Sequence, residues 1–264
     1  MNASAADIRV MSLNLRFGLA DDGENRWDRR KVALAPLFSR FAPDFLAVQE
    51  ANLFQKDFIA GILPGHLHYG VRQPAPPFWQ NNAVFYKREW SLSISRHFFL
   101  SPTPDVPSRF TQSRWPRQCS LGVLAKGGRR LAFADTHFDF AENVQNQSAL
   151  LVQQAIEECA PGMPAIIAGD FNTRPGSSCH ALFTCNTRDR NPLLGPPFRD
   201  ALESSCTPGT HHGFTGHADE KTGRIDWILF RGAMALKESF VITESFEGFY
   251  PSDHFPVMAV LELR

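Results

Sequence analysis

Apolar runs recur along the chain, and most of them carry one chemically capable polar residue at or near an end. Ile8-Arg-Val-Met-Ser-Leu-Asn14 alternates and closes on an amide. Asp44-Phe-Leu-Ala-Val-Gln-Glu50 is apolar and closes on a lone carboxylate, and Arg130-Leu-Ala-Phe-Ala-Asp-Thr-His137 closes on an imidazole. Pro164-Ala-Ile-Ile-Ala168 delivers Gly169-Asp170-Phe171-Asn172, and Arg224-Ile-Asp226-Trp-Ile-Leu-Phe230 opens on an acid. These runs have the length and pattern of strands. Between them the apolar spacing predicts helices over Arg26 to Phe41, over Asn52 to Leu63 (stopped by Pro64-Gly65) and over Ala141 to Cys159. Asn82 to Tyr86 and Ser91 to Leu100 read as paired strands. Gln118 to Lys126 and Arg130 to His137 read as a hairpin across Gly127-Gly128. The helix ending at Cys159 then crosses over to the strand Ala165 to Ala168. Ile225 to Phe230, Glu238 to Thr243 and Val257 to Leu263 complete the strands. Periodicity alone supports an α/β or α+β fold, and local pairing within each half suggests two mixed sheets face to face with helices outside.

Polar residues at strand ends gather at one rim of a sheet, which is how a rigid scaffold presents a site. About 80 residues after Asp170 comes Ser252-Asp253-His254-Phe255-Pro256, a second carboxylate beside an imidazole. Oxygen donors for a hard divalent cation, with His to handle a proton or stabilise charge, suit metal-assisted hydrolysis of a phosphate ester. Each fragment also has a plain explanation. Asp170 and Asn172 could form an Asx turn, Glu50 could accept backbone hydrogen bonds at a loop edge, and a lone strand-end His is more often structural.

Taken together and in order, Ser12-Leu-Asn14, Val48-Gln-Glu50, Thr136-His137, Gly169-Asp-Phe-Asn172, Arg224-Ile-Asp226 and Ser252-Asp-His254 resemble the endonuclease/exonuclease/phosphatase superfamily of deoxyribonuclease-I-like and exonuclease-III-like enzymes. The match spans nearly the whole chain. Asp22-Gly-Glu-Asn-Arg-Trp27, Thr103-Pro-Asp-Val-Pro107, Pro116-Arg117, Gly209-Thr-His-His-Gly-Phe214 and Tyr250-Pro-Ser-Asp-His254 are similar to a bacterial subgroup of it. The resemblance implies a four-layer α/β/β/α sandwich and a Mg2+ or Mn2+ cofactor. It implies Glu50, Asn14 and Asp253 around the metal, with Asp170 orienting and deprotonating water. Asn172 would position phosphate or water, Asp226 would hold His254 against phosphorane-like charge, and His137 would contact a non-bridging or leaving oxygen. His212 could reach the same cleft. Phe140 and Gln80 depart from the subgroup, where His and Glu are common, so the pocket's polarity is this chain's own.

With 27 acidic and 27 basic residues the chain lacks the basic stripe typical of proteins that grip long nucleic acid. Arg109, Arg114 and Arg117 lie in a Pro- and Trp-containing loop and are the better phosphate contacts; Trp79 and Trp115 offer stacking faces. Cys119, Cys159, Cys179, Cys185 and Cys206 are odd in number and lack paired metal spacing, which reads as reduced thiols in a cytoplasmic protein. Met1 to Asp7 lacks secretory character, and no apolar run is long enough to span a membrane. The expectation is one catalytic domain over residues 1–264, monomeric, acting on a small phosphorylated molecule. The alternatives are a Mg-dependent nuclease acting on DNA or RNA, and a scaffold that kept the fold without catalysis.

Overall fold

The structure, a computed structural model, describes residues 6–72, 75–185, 191–203 and 208–264. Of the residues discussed above, Met1 to Ala5 and Cys206 lie outside them, as do Gln73 and Pro74 just before the Trp79 segment. The strands form two six-stranded sheets. The first runs β11 (Met234–Val241), β12 (Val257–Leu263), β1 (Ala6–Asn14), β2 (Phe45–Ala51), β4 (Asn81–Lys87), β3 (His66–Tyr69). The second runs β5 (Ser91–Phe99), β6 (Gln118–Lys126), β7 (Arg129–His137), β8 (Ala165–Asp170), β10 (Asp226–Arg231), β9 (Arg199–Asp200). Three apolar clusters divide the interior. One lies between the sheets, with Phe45 stacked on Phe133 at 5.1 Å. A second lies under α4 (Glu142–Cys159) and α5 (Ser178–Thr184) on the outer face of the second sheet. The third lies under α2 (Leu34–Phe41) and α3 (Leu53–Ile62) on the outer face of the first. That is the α/β/β/α sandwich.

Helix boundaries follow local chemistry. Asn52 caps α3 reciprocally with Gln55, satisfying backbone donors at the helix start. The expected helix over Arg26 to Phe41 is instead α1 (Trp27–Arg30) and α2, separated by a 3-10 turn. There Arg30 is drawn inward, its guanidinium donating to the carbonyls of Pro251 and Arg16. The expected pairing of Asn82–Tyr86 with Ser91–Leu100 does not form. β4 sits between β2 and β3 in the first sheet, and β5 edges the second beside β6. Burial explains this: Trp90 inserts between the sheets against Phe45, so the chain crosses over there instead of folding back. β3, β9 and α5 had no counterpart in the sequence reading. The β6–β7 hairpin and the parallel β7–α4–β8 crossover form as expected.

One contact joins the two sheets, and another packs two neighbouring strands of the second sheet closely together. Tyr69 of β3 donates through its hydroxyl to the Phe133 carbonyl of β7, and Gly122 of β6 leaves the space its ring occupies. Gly169 of β8 has φ +153°, and a Cβ there would lie 2.0 Å from the Thr136 carbonyl oxygen of β7. Only glycine allows this approach, one residue before Asp170. Gly169→Ala is therefore expected to lose about 3 kcal/mol or more, combining backbone strain with overpacking. Gly61→Ala, in an open position on α3, should be neutral or stabilising. Thermal unfolding of the two variants beside wild type decides; equal melting temperatures for both would contradict this account of Gly169.

Candidate active site

Strand ends from both sheets converge on one cavity of about 850 Å3. Its lining includes Glu50, His137, Asp170, Asn172, Asp253 and His254, together with Arg114, Arg117, Trp79 and Trp115. β1 and β2 run parallel, so Asn14 and Glu50 end side by side. The Asn14 amide donates to Glu50 Oε1 (3.3 Å) and to Asp170 Oδ2 (3.0 Å), tying the first sheet to the second. Its carbonyl oxygen accepts from the Arg16 backbone N–H. Asn14 thus presents its NH2 end to the carboxylates. Glu50 sits at an irregularity in β2 with φ +59°, a conformation that costs a non-glycine residue about 1–3 kcal/mol and turns its carboxylate into the cavity. Its other oxygen accepts from the Phe17 N–H.

On the second sheet, Asp170 and Asp226 are register partners on antiparallel β8 and β10. His254 bonds Asp226 Oδ2 through Nδ1 (2.9 Å), and its Nε2 lies 3.9 Å from Asp170 Oδ2. Burial alone would lower the pKa of His254, but Asp226, Asp170 and Asp253 raise it to about 10. The carboxylates favour the ring as a cation, donating through Nδ1 to Asp226 with Nε2 directed toward Asp170. Asp170 moves up from its usual range, because burial and the nearby Asp226 charge disfavour its ionised form. Asp170 Oδ1 accepts from the Asn172 N–H, so the Asx turn is present, and its Oδ2 faces Asn14 and His137. Asn172, itself at φ +50°, donates to the Phe138 carbonyl. Asp253 is buried, which works against its charge; His254, Arg16 and His211 more than compensate and hold its pKa below the ordinary value.

His212 is not part of this cavity. It stacks on Phe255 at 3.9 Å, its Nδ1 accepts from the Gly216 N–H, and burial lowers its pKa to about 4. Adjacent His211 lines the cavity instead, with Nε2 4.0 Å from Asp253 Oδ2. Three further residues escaped the sequence reading. Arg16 pairs with Asp22 and approaches Asp253 (3.6 Å). Asp139 accepts from the backbone N–H groups of Arg114 and Trp115. Buried Arg30 packs over Trp27 and Phe214, which explains the Asp22–Trp27 motif as a clamp on the loops. Position just after a motif residue was the one available signal for Arg16.

The donors suit a hard cation. Glu50 and Asp253 supply carboxylate oxygens, and each Glu50 oxygen takes a single hydrogen bond, leaving acceptor capacity directed into the cavity. Among the described residues, two groups of ligand atoms fall within 4.8 Å of one another: His211, Asp253 and His254, and Asp170, Asp226 and His254. Both include His254, whose Nδ1 is already engaged by Asp226.

The sequence profile of the Endonuclease/Exonuclease/phosphatase family matches residues 11–254, and the chain belongs to that family. Its members are metal-dependent hydrolases acting on phosphate esters. The chain is similar to the endonuclease/exonuclease/phosphatase from Bacteroides vulgatus, with TM-score 0.88 and 26% identity over 98% of this chain and 100% of that one. It is also similar to a mannosyl-6-phosphatase of Bacteroides thetaiotaomicron, with TM-score 0.83 and 27% identity over 96% and 99%. A protein of Schizosaccharomyces pombe named as a probable RNA exonuclease is 26% identical over 65% of this chain and 38% of its own length. The chain spans only 30% to 38% of the curated relatives it matches.

The raised pKa of His254 carries a signed prediction. Its charged pairing with Asp226 contributes stability that is fully present below the ordinary value of 6.5 and is lost as pH rises through about 10. Wild type should therefore exceed Asp226→Asn in thermal stability most at pH 6, with the gap closing toward pH 10. A gap that widens with pH would contradict the assignment. In Asp226→Asn the His254 ring signal should titrate several pH units lower.

Proposed function

We propose that the protein is a Mg2+- or Mn2+-dependent phosphoesterase that hydrolyses a small phosphorylated molecule by attack of an activated water. The observation that carries this is the Asp226–His254–Asp170 array beside the Glu50 and Asp253 carboxylates in a walled cavity. A cation bound by Glu50 and Asp253 would neutralise phosphate charge and polarise the ester. Asp170, its basicity raised by burial, accepts a proton from water as the water oxygen bonds to phosphorus and the ester P–O bond breaks. Asn14 holds Asp170 and Glu50 in place. His254, kept charged by Asp226, meets the developing negative charge on phosphorus. Asn172 and His137 contact the non-bridging or leaving oxygens.

The outer part of the cavity argues for a compact substrate. Phe78, Trp79, Trp115 and Phe140 give it aromatic walls, and Arg114 adds a cation at the rim. Such walls suit a sugar ring or base and obstruct the middle of a rigid duplex. Likeness to a mannosyl-6-phosphatase supports this reading. The second reading, an exonuclease admitting a strand end, is supported by the fission yeast relative. Among the described residues no helix is long and apolar enough to cross a membrane. One catalytic domain acting as a cytoplasmic monomer completes the proposal, and the free thiols Cys119, Cys159 and Cys179 are consistent with it.

A panel of phosphomonoesters, phosphodiesters, single strands and supercoiled plasmid, assayed with each metal, tests the reading. EDTA should abolish hydrolysis and Mg2+ or Mn2+ restore it, with compact esters preferred. Asp170→Asn and Asp226→Asn should each lower turnover by about 100-fold or more. Full activity in excess chelator would sink the proposal, and efficient plasmid nicking lost in Asp170→Asn would replace it with the nuclease reading.

A further inference from the structure

Arg117 was expected to hold a phosphate, yet it is 8% exposed and its nearest polar partner is a second histidine. Its Nη1 lies 3.0 Å from His137 Nδ1. A guanidinium can only donate, so Nδ1 of His137 must be the accepting, unprotonated nitrogen. A neutral imidazole then carries its proton on Nε2. That nitrogen lies 3.3 Å from Asp170 Oδ2 and 3.1 Å from the Asn172 amide nitrogen, which already donates to the Phe138 carbonyl. An amide nitrogen cannot accept, so the Nε2 proton has Asp170 or a bound substrate oxygen as its acceptor.

We infer that Arg117 is a positioning residue that locks His137 as the neutral tautomer bearing its proton on Nε2, directed at Asp170 and the cavity. Asp139 holds Arg117 from behind, 3.9 Å from Nε, while its carboxylate anchors the Arg114–Trp115 backbone of the same loop. The charged groups around the ring are Arg117 from the loop before β6, Asp170 from the end of β8, and His254 from the C-terminal loop. Burial, Arg117 and His254 all push the His137 pKa well below the ordinary value, in agreement with the lock. The two histidines are thus held in opposite states by opposite partners: carboxylate for His254, guanidinium for His137. The consequence for turnover rests on the phosphoesterase reading; the tautomer does not.

Long-range 1H–15N correlation spectra of 15N-histidine-labelled protein, with the His137 signal identified by its loss in His137→Gln, test the inference without any substrate. The ring should be neutral, protonated on Nε2, and unchanged between about pH 5.5 and 8.5. Arg117→Met should let the ring titrate or exchange tautomers. With p-nitrophenyl phosphate or bis(p-nitrophenyl) phosphate as probe, kcat should fall about 10- to 100-fold with little change in KM. Arg117→Lys, which restores a donor, should recover most of the loss. A wild-type ring protonated on Nδ1, or charged at neutral pH, overturns the inference even if no Arg117 variant folds. A rise in KM alone in Arg117→Met overturns it too, because Arg117 would then serve only to hold phosphate. Absence of hydrolysis of either probe by wild type counts against the phosphoesterase reading and leaves the spectral test intact.

Discussion

Four carboxylates, Glu50, Asp170, Asp226 and Asp253, are drawn to one place by the ends of strands from two sheets, and three of them are buried. Taking an unpaired charge out of water costs several kcal/mol, so such a cluster persists only if each member finds a counter-charge or a donor. His254 lies between Asp226 and Asp170 and meets that need for both. Asn14 supplies neutral donors to Glu50 beside it on the first sheet and to Asp170 across on the second. The same contacts that neutralise the cluster therefore fasten the two sheets together at the site. Within the second sheet, close approach of β7 and β8 at Gly169 brings His137 and Asp170 into register beside each other.

Arginines extend that logic outward. Arg16 stands between Asp22 and Asp253, and Arg30, buried beneath it, joins the Arg16 and Pro251 carbonyls. Loops from the start and the end of the chain are thereby held to each other by main-chain acceptors, which tolerate side-chain variation around them. On the other side, Asp139 orders the Arg114–Trp115 loop through two backbone donors. The floor of the cavity is a property of the sheets, whereas the walls depend on such side-chain-to-backbone ties.

Legibility in the sequence follows the same division. Strands ending in Asn14, Glu50, His137 and Asp170 could be read because an apolar run closed by one polar group has few other uses, and burial leaves no freedom over which side it faces. Pairing of β4 and β5 could not, since the insertion of Trp90 between the sheets is a long-range packing effect that local alternation does not encode. His211 and His212 illustrate a finer limit. Neighbours on an extended segment point opposite ways, so choosing the cavity-facing one needs the register, set here by the bridge from His211 to His254. Arg117 was read as a phosphate ligand because its loop position was visible and its contact with His137, 20 residues on, was not.

The protonation states distribute the chemistry. On the proposed mechanism His254 enters as a cation and His137 as a neutral donor, which leaves neither ring to take a proton from water. The proposal then makes Asp170 the acceptor within the array, and burial raises its basicity above that of an exposed carboxylate. Its Oδ2 faces Asn14 and His137, with His254 at 3.9 Å, and Asn14 and His254 offset part of the cost of burying its charge. Too strong a set of donors would have lowered its basicity; at 3.9 Å the imidazolium is close enough to favour the anion and too far to bind it tightly. A base tuned in this way, beside a fixed positive charge, can take a proton at one side of a phosphorus centre while negative charge grows on its oxygens at the other.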